Sequence, residues 1–480
     1  MAERDGEHSG HPVLRALATF LVLALVAGGV AAWRLDLVDD WFDDPAPDRS
    51  SGPAAVPPPR ELDLPEVEAP PVVADPVADD ARLDPAAVRK ALGRYLRDRD
   101  LGKHVLALVA PLDGGGPTYA LGQGRAIPAS TTKVVTSVAA LFALGGDHVF
   151  ETTVVRDGRR GVVLVGGGDP LLASKPADAS TYPERADVVA LAERAARTLR
   201  KQGTTTVRLG YDAGLFTGPA ENPHWRPDYV PDAVVSPTSA LWVDEGRPAS
   251  GYGRVADPAA AAAETFAAAL TRAGINVRGA PRERSARPDA RPIATVTSAP
   301  LEQIVERVLL VSDNEASEVL HRHVGIAQEG EGSVEAGSRG VRRVLEALGV
   351  PLRGSVLYDG SGLSRDNRLD PRVLVDLIRL AADDEHPELR AVVTGLPVAG
   401  FTGSLTDRMD QGPRDGLGRV RAKTGTLTNV ASLAGVATDV DGTAMAFVLM
   451  ADRIRANRYL FARVAMDSAA AALGACHCGR

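Results

Sequence analysis

Near the C-terminus the runs NVASLAGVATD and TAMAFVLMAD read as strands joined across Asp441-Gly442, a dipeptide favoured in two-residue hairpins. HVLALVAPL, beginning at His104, reads as a further buried strand, and GPTYALGQG as its returning partner. DPAAVRKALGRYLRD has the start of a helix at Asp84-Pro85, and a last helix is expected from about Arg455 to Leu473. Strands at both ends of the chain, each bracketed by a terminal helix, imply an α/β (α+β) fold: an antiparallel sheet flanked by helices. No internal repeat is evident.

The 480 residues suffice for more than one domain, and 45% of them are hydrophobic, enough for a large core. A net charge of -8 without any basic run gives no sign of nucleic-acid binding. Residues 16–32, ALATFLVLALVAGGVAA, carry no charge and have the length of a short membrane span. We read residues 1–35 as a membrane anchor, with a signal peptide cleaved after VAA as the alternative. Either way the remainder is expected to be exported, to the membrane surface or the cell wall. Residues 36–82 are rich in Pro, Asp and Glu and read as an extended linker. The only cysteines, Cys476 and Cys478, lie in the tail 475–480. They cannot supply a disulfide framework for the core. The tail is expected to be a mobile end rather than a metal site, since three ligands on a terminus lack a supporting shell.

Lysine is scarce. The chain has six, at 90, 103, 133, 175, 201 and 423, and uses arginine elsewhere. That makes the stretch ASTTKVVTSVAALFALGG informative. It is a helix candidate opening after Pro128, with Ser130 and Lys133 at i and i+3 on one face of its first turn. A serine hydroxyl becomes a nucleophile when a neighbouring base takes its proton. A lysine whose proton affinity is lowered by burial and by the positive end of the helix can be that base. A second element, VSDNEASEVL, puts Ser312 and Asn314 two apart before an apolar-periodic helix, where both can face one cleft or merely cap the helix. A third, RVRAKTGTLTN, puts Lys423, Thr424, Gly425 and Thr426 in a strand-like run. Its lysine and hydroxyls suit a carboxylate, and its glycine leaves room for a substrate backbone.

Each motif alone has an ordinary structural explanation. Their order, Ser-x-x-Lys, Ser-x-Asn, Lys-Thr-Gly, resembles the signature of penicillin-binding proteins and serine β-lactamases. Ser130 and Ser312 are about 180 residues apart, which implies a large insertion between the first two motifs. In this, and in GVVLVGGGDPLL, SDNEASEVLHRH, LYDGSGLSRDNRLDP and LPVAGFTGSLTDR, the chain resembles the D-alanyl-D-alanine carboxypeptidase/endopeptidase family, the class C low-molecular-mass penicillin-binding proteins. The resemblance implies a transpeptidase-type catalytic domain at 83–149 and 291–474, with inserted material at 150–290. It also implies peptidoglycan stem peptides and β-lactams as the molecules bound, and no metal or cofactor. Ser130 is expected to form the acyl-enzyme with Lys133 as its base. Ser312 and Asn314 are expected to relay protons and orient the substrate amide. Lys423, Thr424, Gly425 and Thr426 are expected to receive the terminal carboxylate.

A β-lactamase is the nearest rival. The Glu-x-x-Leu-Asn loop of its class A members is absent, as is the Gly-x-Ser-x-Gly elbow of esterases. A non-catalytic wall-binding protein is disfavoured by the complete motifs. GGGDP is a turn rather than a phosphate loop, because no Gly-Lys-Ser/Thr follows. His321 and His323 point apart on their helix and read as packing or surface residues.

Overall fold

The computed structural model describes residues 82–116 and 118–479. The proposed anchor and most of the linker lie outside the described residues. Among the described residues, no helix is long and apolar enough to cross a membrane.

The body opens with helix α1, Pro85–Leu96, capped by the Asp84 carboxylate, which accepts from Ala86 N at 2.9 Å. Strand β1, Val105–Pro111, and its short partner β2, Tyr119–Leu121, follow. Helix α2, Thr132–Leu144, is entered through a 3-10 turn at Ala129–Thr131. The chain then builds a second sheet from β3 (Glu151–Asp157), β4 (Gly161–Val165), β5 (Thr206–Asp212), β6 (Asn276–Val277), β7 (Arg282–Glu283) and β8 (Pro292–Thr297). Helices α3, Val188–Lys201, and α4, Pro258–Arg272, pack on it. Next come α5 (Leu301–Val311), α6 (Asn314–Glu329), α7 (Val334–Ala347) and α8 (Pro371–Ala382), then a single helical turn at Ala391–Thr394. Strands β9 (Val420–Leu427), β10 (Val430–Thr438) and β11 (Ala444–Ala451) complete the first sheet, and α9, Tyr459–Gly474, closes the body.

The first sheet runs β2-β1-β11-β10-β9, antiparallel throughout. Its strands β1, β11 and β10 are buried on both faces. Leu106, Leu108, Val448 and Met450 face the core shared with α2, α5, α6 and α8, while Ala107, Val109, Phe447 and Leu449 face α1 and α9. Successive side chains point to opposite faces, so a strand covered on both must be apolar at nearly every position. Hence the uninterrupted runs in the sequence.

The second sheet, β6-β5-β4-β3-β8, shares no strand with the first. Within the same stretch of chain, however, an irregular segment returns to the helical layer. Asn222 Nδ2 donates to Tyr358 O at 2.8 Å, Trp225 Nε1 to Asp359 Oδ2 at 3.1 Å, and the Arg254 guanidinium to Glu315 at 2.8 Å. Material between the first two motifs thus forms a sheet of its own and also contributes to the ground on which those motifs stand.

The tail differs from expectation. Cys476 and Cys478 are joined by a disulfide, and Cys478 is buried. The Asp439 carboxylate accepts from Cys478 N at 2.8 Å and Gly479 N at 3.1 Å, while Asp84 N donates to Cys478 O at 2.7 Å. These bonds satisfy backbone groups that a free end would give to water, so Cys478 and Gly479 are docked on the body, not a mobile end.

Candidate active site

Ser130 lies in the 3-10 turn leading into α2, behind a strained residue: Ala129 has φ 48°. Ser312, between α5 and α6, has φ 63°. Left-handed backbone at a non-glycine residue costs on the order of 1–3 kcal/mol and persists only where the surroundings enforce it, commonly at functional sites. Asp313, not Ser312 or Asn314, caps α6, accepting from Ala316 N at 3.0 Å. The motif's outer two residues are thereby left for the cleft.

All three motifs converge there. Lys133 is fully buried, and its Nζ donates to Ser130 Oγ at 3.0 Å, Asn314 Oδ1 at 2.8 Å and the Ser361 carbonyl at 2.7 Å. Asn314 in turn donates through Nδ2 to Val234 O at 3.0 Å, which fixes its amide. Lys423, equally buried, donates to Ser312 Oγ at 2.7 Å and Thr424 O at 2.9 Å. Ser130 itself is half-buried, so it can be reached from solvent while its lysine partner cannot.

Burial lowers Lys133 to about 8, against the opposing pull of Asp359, Glu318, Asp313 and Glu315. Lys423 is driven well below the ordinary lysine range, by burial first and then by the charges of Lys133 and Arg408. Two lysines with weakened hold on their protons, each bonded to a serine hydroxyl, make an arrangement that can deprotonate one serine and pass protons through another.

Lys423, Thr424, Gly425 and Thr426 lie on β9, the edge strand of the first sheet. Thr424 Oγ1 is 3.2 Å from Ser404 Oγ, and the exposed Thr426 hydroxyl receives a bond from Tyr459 OH at 3.1 Å. Gly425 also makes room for a segment of the protein itself. A Cβ there would meet Ser432 Oγ and stand 2.6 Å from Pro128 O and 3.2 Å from Thr131 N. The turn that presents Ser130 presses on the strand at this point, and Ser432 Oγ bonds the same Pro128 carbonyl at 2.5 Å. We expect Gly425→Ala to lower stability by about 1–3 kcal/mol, since backbone cannot yield as a side-chain end can. Denaturant unfolding measures this, and an unchanged midpoint refutes the packing account.

Sequence reasoning missed Val234, Ser361, Ser404 and Tyr459. They act through a carbonyl or a lone hydroxyl and sit in no short motif, although Ser361 belongs to the DGSGLSRDN stretch and Ser404 to LPVAGFTGSLTDR, both of which carried part of the resemblance. His321 and His323 are both buried packing residues. Burial pushes them down to about 3 and about 4, and His323 Nε2 lies 3.0 Å from Gly168 O in the GGGDP turn. Behind the Ser312 turn three buried carboxylates gather, Glu245, Asp313 and Glu315. Arg247, Arg254 and Arg307 pair with them, forming a balanced ion cluster that leaves a cation no uncompensated charge to neutralise.

The profile of the D-Ala-D-Ala carboxypeptidase 3 (S13) family matches residues 88–251 and 247–473. A carboxypeptidase of Mycobacterium tuberculosis is 35% identical over 411 residues, covering 82% of this chain and 85% of that protein. Carboxypeptidase DacB of Mycolicibacterium smegmatis is 34% identical over 474 residues, covering 95% and 96%. In fold, the crystal structure of penicillin-binding protein 4 of Haemophilus influenzae superposes with a TM-score of 0.64 at 20% identity, over 80% of this chain and 98% of that one. This is the penicillin-binding architecture implied by the motifs. With a profile match running from the first helix to the last, the chain belongs to the D-Ala-D-Ala carboxypeptidase 3 (S13) family.

Proposed function

We propose that this protein is a serine D-alanyl-D-alanine carboxypeptidase that trims peptidoglycan stem peptides through an acyl-enzyme at Ser130 and is acylated by penicillin. The observation that carries the reading is the bond from buried Lys133 Nζ to Ser130 Oγ, with Asn314 and Ser361 O holding the same nitrogen. In its neutral form Lys133 takes the Ser130 proton as Oγ attacks the carbonyl carbon of the penultimate D-Ala. Backbone N–H groups of Ser130 and Thr426 receive the developing oxyanion. Ser312, bonded to Lys423, returns a proton to the departing D-Ala amine while Asn314 orients the substrate amide. Lys423, Thr424 and Thr426 hold the terminal carboxylate at the strand edge. Water, activated by Lys133, then hydrolyses the ester and frees the shortened peptide.

Export to the outer face of the cytoplasmic membrane or the wall belongs to the same proposal. The apolar 16–32 stretch supports it, and so does the Cys476–Cys478 disulfide, a bond that persists in oxidising compartments. The test is incubation with a pentapeptide ending in D-Ala-D-Ala. Release of one D-Ala per peptide, blocked by prior penicillin, is expected. Penicillin turnover with no D-Ala release points to a β-lactamase, and neither activity to a binding protein.

A further inference from the structure

Behind Lys133 stand two fully enclosed carboxylates that the chemistry above does not use. Asp359 has a full set of partners. Its Oδ1 accepts from Gly362 N at 3.1 Å and Asn367 Nδ2 at 2.7 Å, and its Oδ2 from Ser364 N at 2.6 Å and Trp225 Nε1 at 3.1 Å. Its hydrogen bonds fold its own loop, and its charge acts on Lys133 ahead of that of Glu318. Glu318, one helical turn after Asn314 on α6, differs. Its Oε1 accepts from Gly360 N at 3.1 Å and Ser361 N at 2.7 Å. The carbonyl of that same Ser361 accepts from Lys133 Nζ at 2.7 Å. A single residue thus separates the carboxylate from the base.

Glu318 is not needed merely to hold the loop. The Gly360 carbonyl is independently bonded by Thr136 Oγ1 at 2.7 Å and Ser317 Oγ at 2.8 Å. A Cβ on Gly360 would lie 2.5 Å from His321 Cβ, so packing fixes the position as well. A glutamine oxygen would accept the same two N–H bonds. What it would not supply is the charge.

The surrounding charges leave that role open. On the cationic side, Lys133 faces Lys423, beyond which Arg408 is paired with Asp467 at 2.6 Å. Of the anions that act on Lys133, Asp313 and Glu315 are answered by Arg307, Arg247 and Arg254. Arg322, one turn beyond Glu318, spends its donors on the carbonyls of Thr217, Pro219 and Gly332. His321 is uncharged at any working pH. Among the described residues that act on Lys133, Asp359 and Glu318 are the buried anions with no guanidinium hydrogen-bonded to them, and the nearby Arg322 charge acts on Glu318 without pairing with it.

We propose that Glu318 is a positioning residue for the acylation step: across the Ser361 residue it counter-charges Lys133 and so fixes where on the pH axis the base becomes available. Burial and the Asp359 charge push Glu318 up to about 7, so it is ionised over the range in which Lys133, at about 8, loses its proton. The sign follows. A neighbouring anion favours the ammonium form, so removing it lets Lys133 become neutral at lower pH. The acid limb of the acylation profile must then move down.

The inference rests on Lys133 being the base, and the experiment separates the two. Acylation rates of the full chain with a reporter β-lactam are measured from below to above the Lys133 value, with mass spectrometry locating the adduct. Glu318→Gln should move the acid-limb midpoint down by about one unit, the size of a strong charge–charge effect at a buried site. Glu318→Asp shortens the reach but keeps the charge. It should lower the maximal rate and leave the midpoint within a few tenths of a unit of the parent's. Thr136→Val loosens the same loop with no change of charge and should likewise leave the midpoint in place. A Glu318→Gln profile with the parent midpoint, whatever its height, overturns the proposal. If that variant does not fold, Glu318→Met, uncharged and of similar shape, is read at the same limb: a lowered midpoint supports the proposal, and the parent midpoint overturns it. A parent protein that gains no adduct on Ser130 overturns the functional reading instead.

Discussion

Ser130→Ala is expected to fold normally and to take up no penicillin. The substitution removes one half-buried oxygen. Lys133 keeps its bonds to Asn314 and the Ser361 carbonyl, so no buried donor is stranded and the stability cost stays within about 1 kcal/mol. The chemical cost is of another order. Without Oγ there is no atom to form the ester, and losing a serine nucleophile lowers turnover by on the order of a millionfold. Intact-mass measurement after incubation with penicillin reads the result directly. A variant that still gains the mass of the antibiotic would falsify the assignment of the nucleophile.

Lys133→Arg is expected to lose acylation by on the order of a hundredfold or more, the usual scale for a lost general base. A guanidinium stays protonated at any working pH and cannot accept the Ser130 proton. Its planar head is also larger than the ammonium group, in a site with no exposed surface to relieve it. Lys90, exposed on α1, is the control, and Lys90→Arg should be silent. Stopped-flow acylation with a reporter β-lactam compares the two. Equal rates for both variants and the parent would mean that Ser-x-x-Lys is only a helix start in this chain.

The motifs were legible because lysine is rare here and because both buried lysines fall in the pattern. An arginine-using chain that keeps lysine at 133 and 423 signals that the residue's ability to lose a proton matters. The first sheet was legible because strands buried on both faces leave continuous apolar runs. Other features were not. The second reading of Gly425 depends on Pro128 and Ser432, contacts that no local pattern announces. The tail was misread for a similar reason. Its partner is Asp439, in the turn after β10, and a carboxylate accepting backbone N–H groups from a distant segment leaves no periodicity to detect. The irregular stretch around Asn222 to Arg254 reads as loop, and a loop's sequence does not say which surface it returns to.

The central pairing of the first sheet has a further consequence. Val105 lies opposite Ala451, so the first strand of the body has no neighbour on its main side until β11, far later in the chain, is present. Contacts so remote in sequence close slowly and cannot form in a partial chain. Ser130 and Lys133 are made early but stay unassembled, because Lys423 and the edge strand come late. A nascent or prematurely terminated product therefore has the nucleophile without the site. The order of the strands along the chain thus makes the cleft a late product of folding, assembled only when β9 to β11 have joined the first sheet.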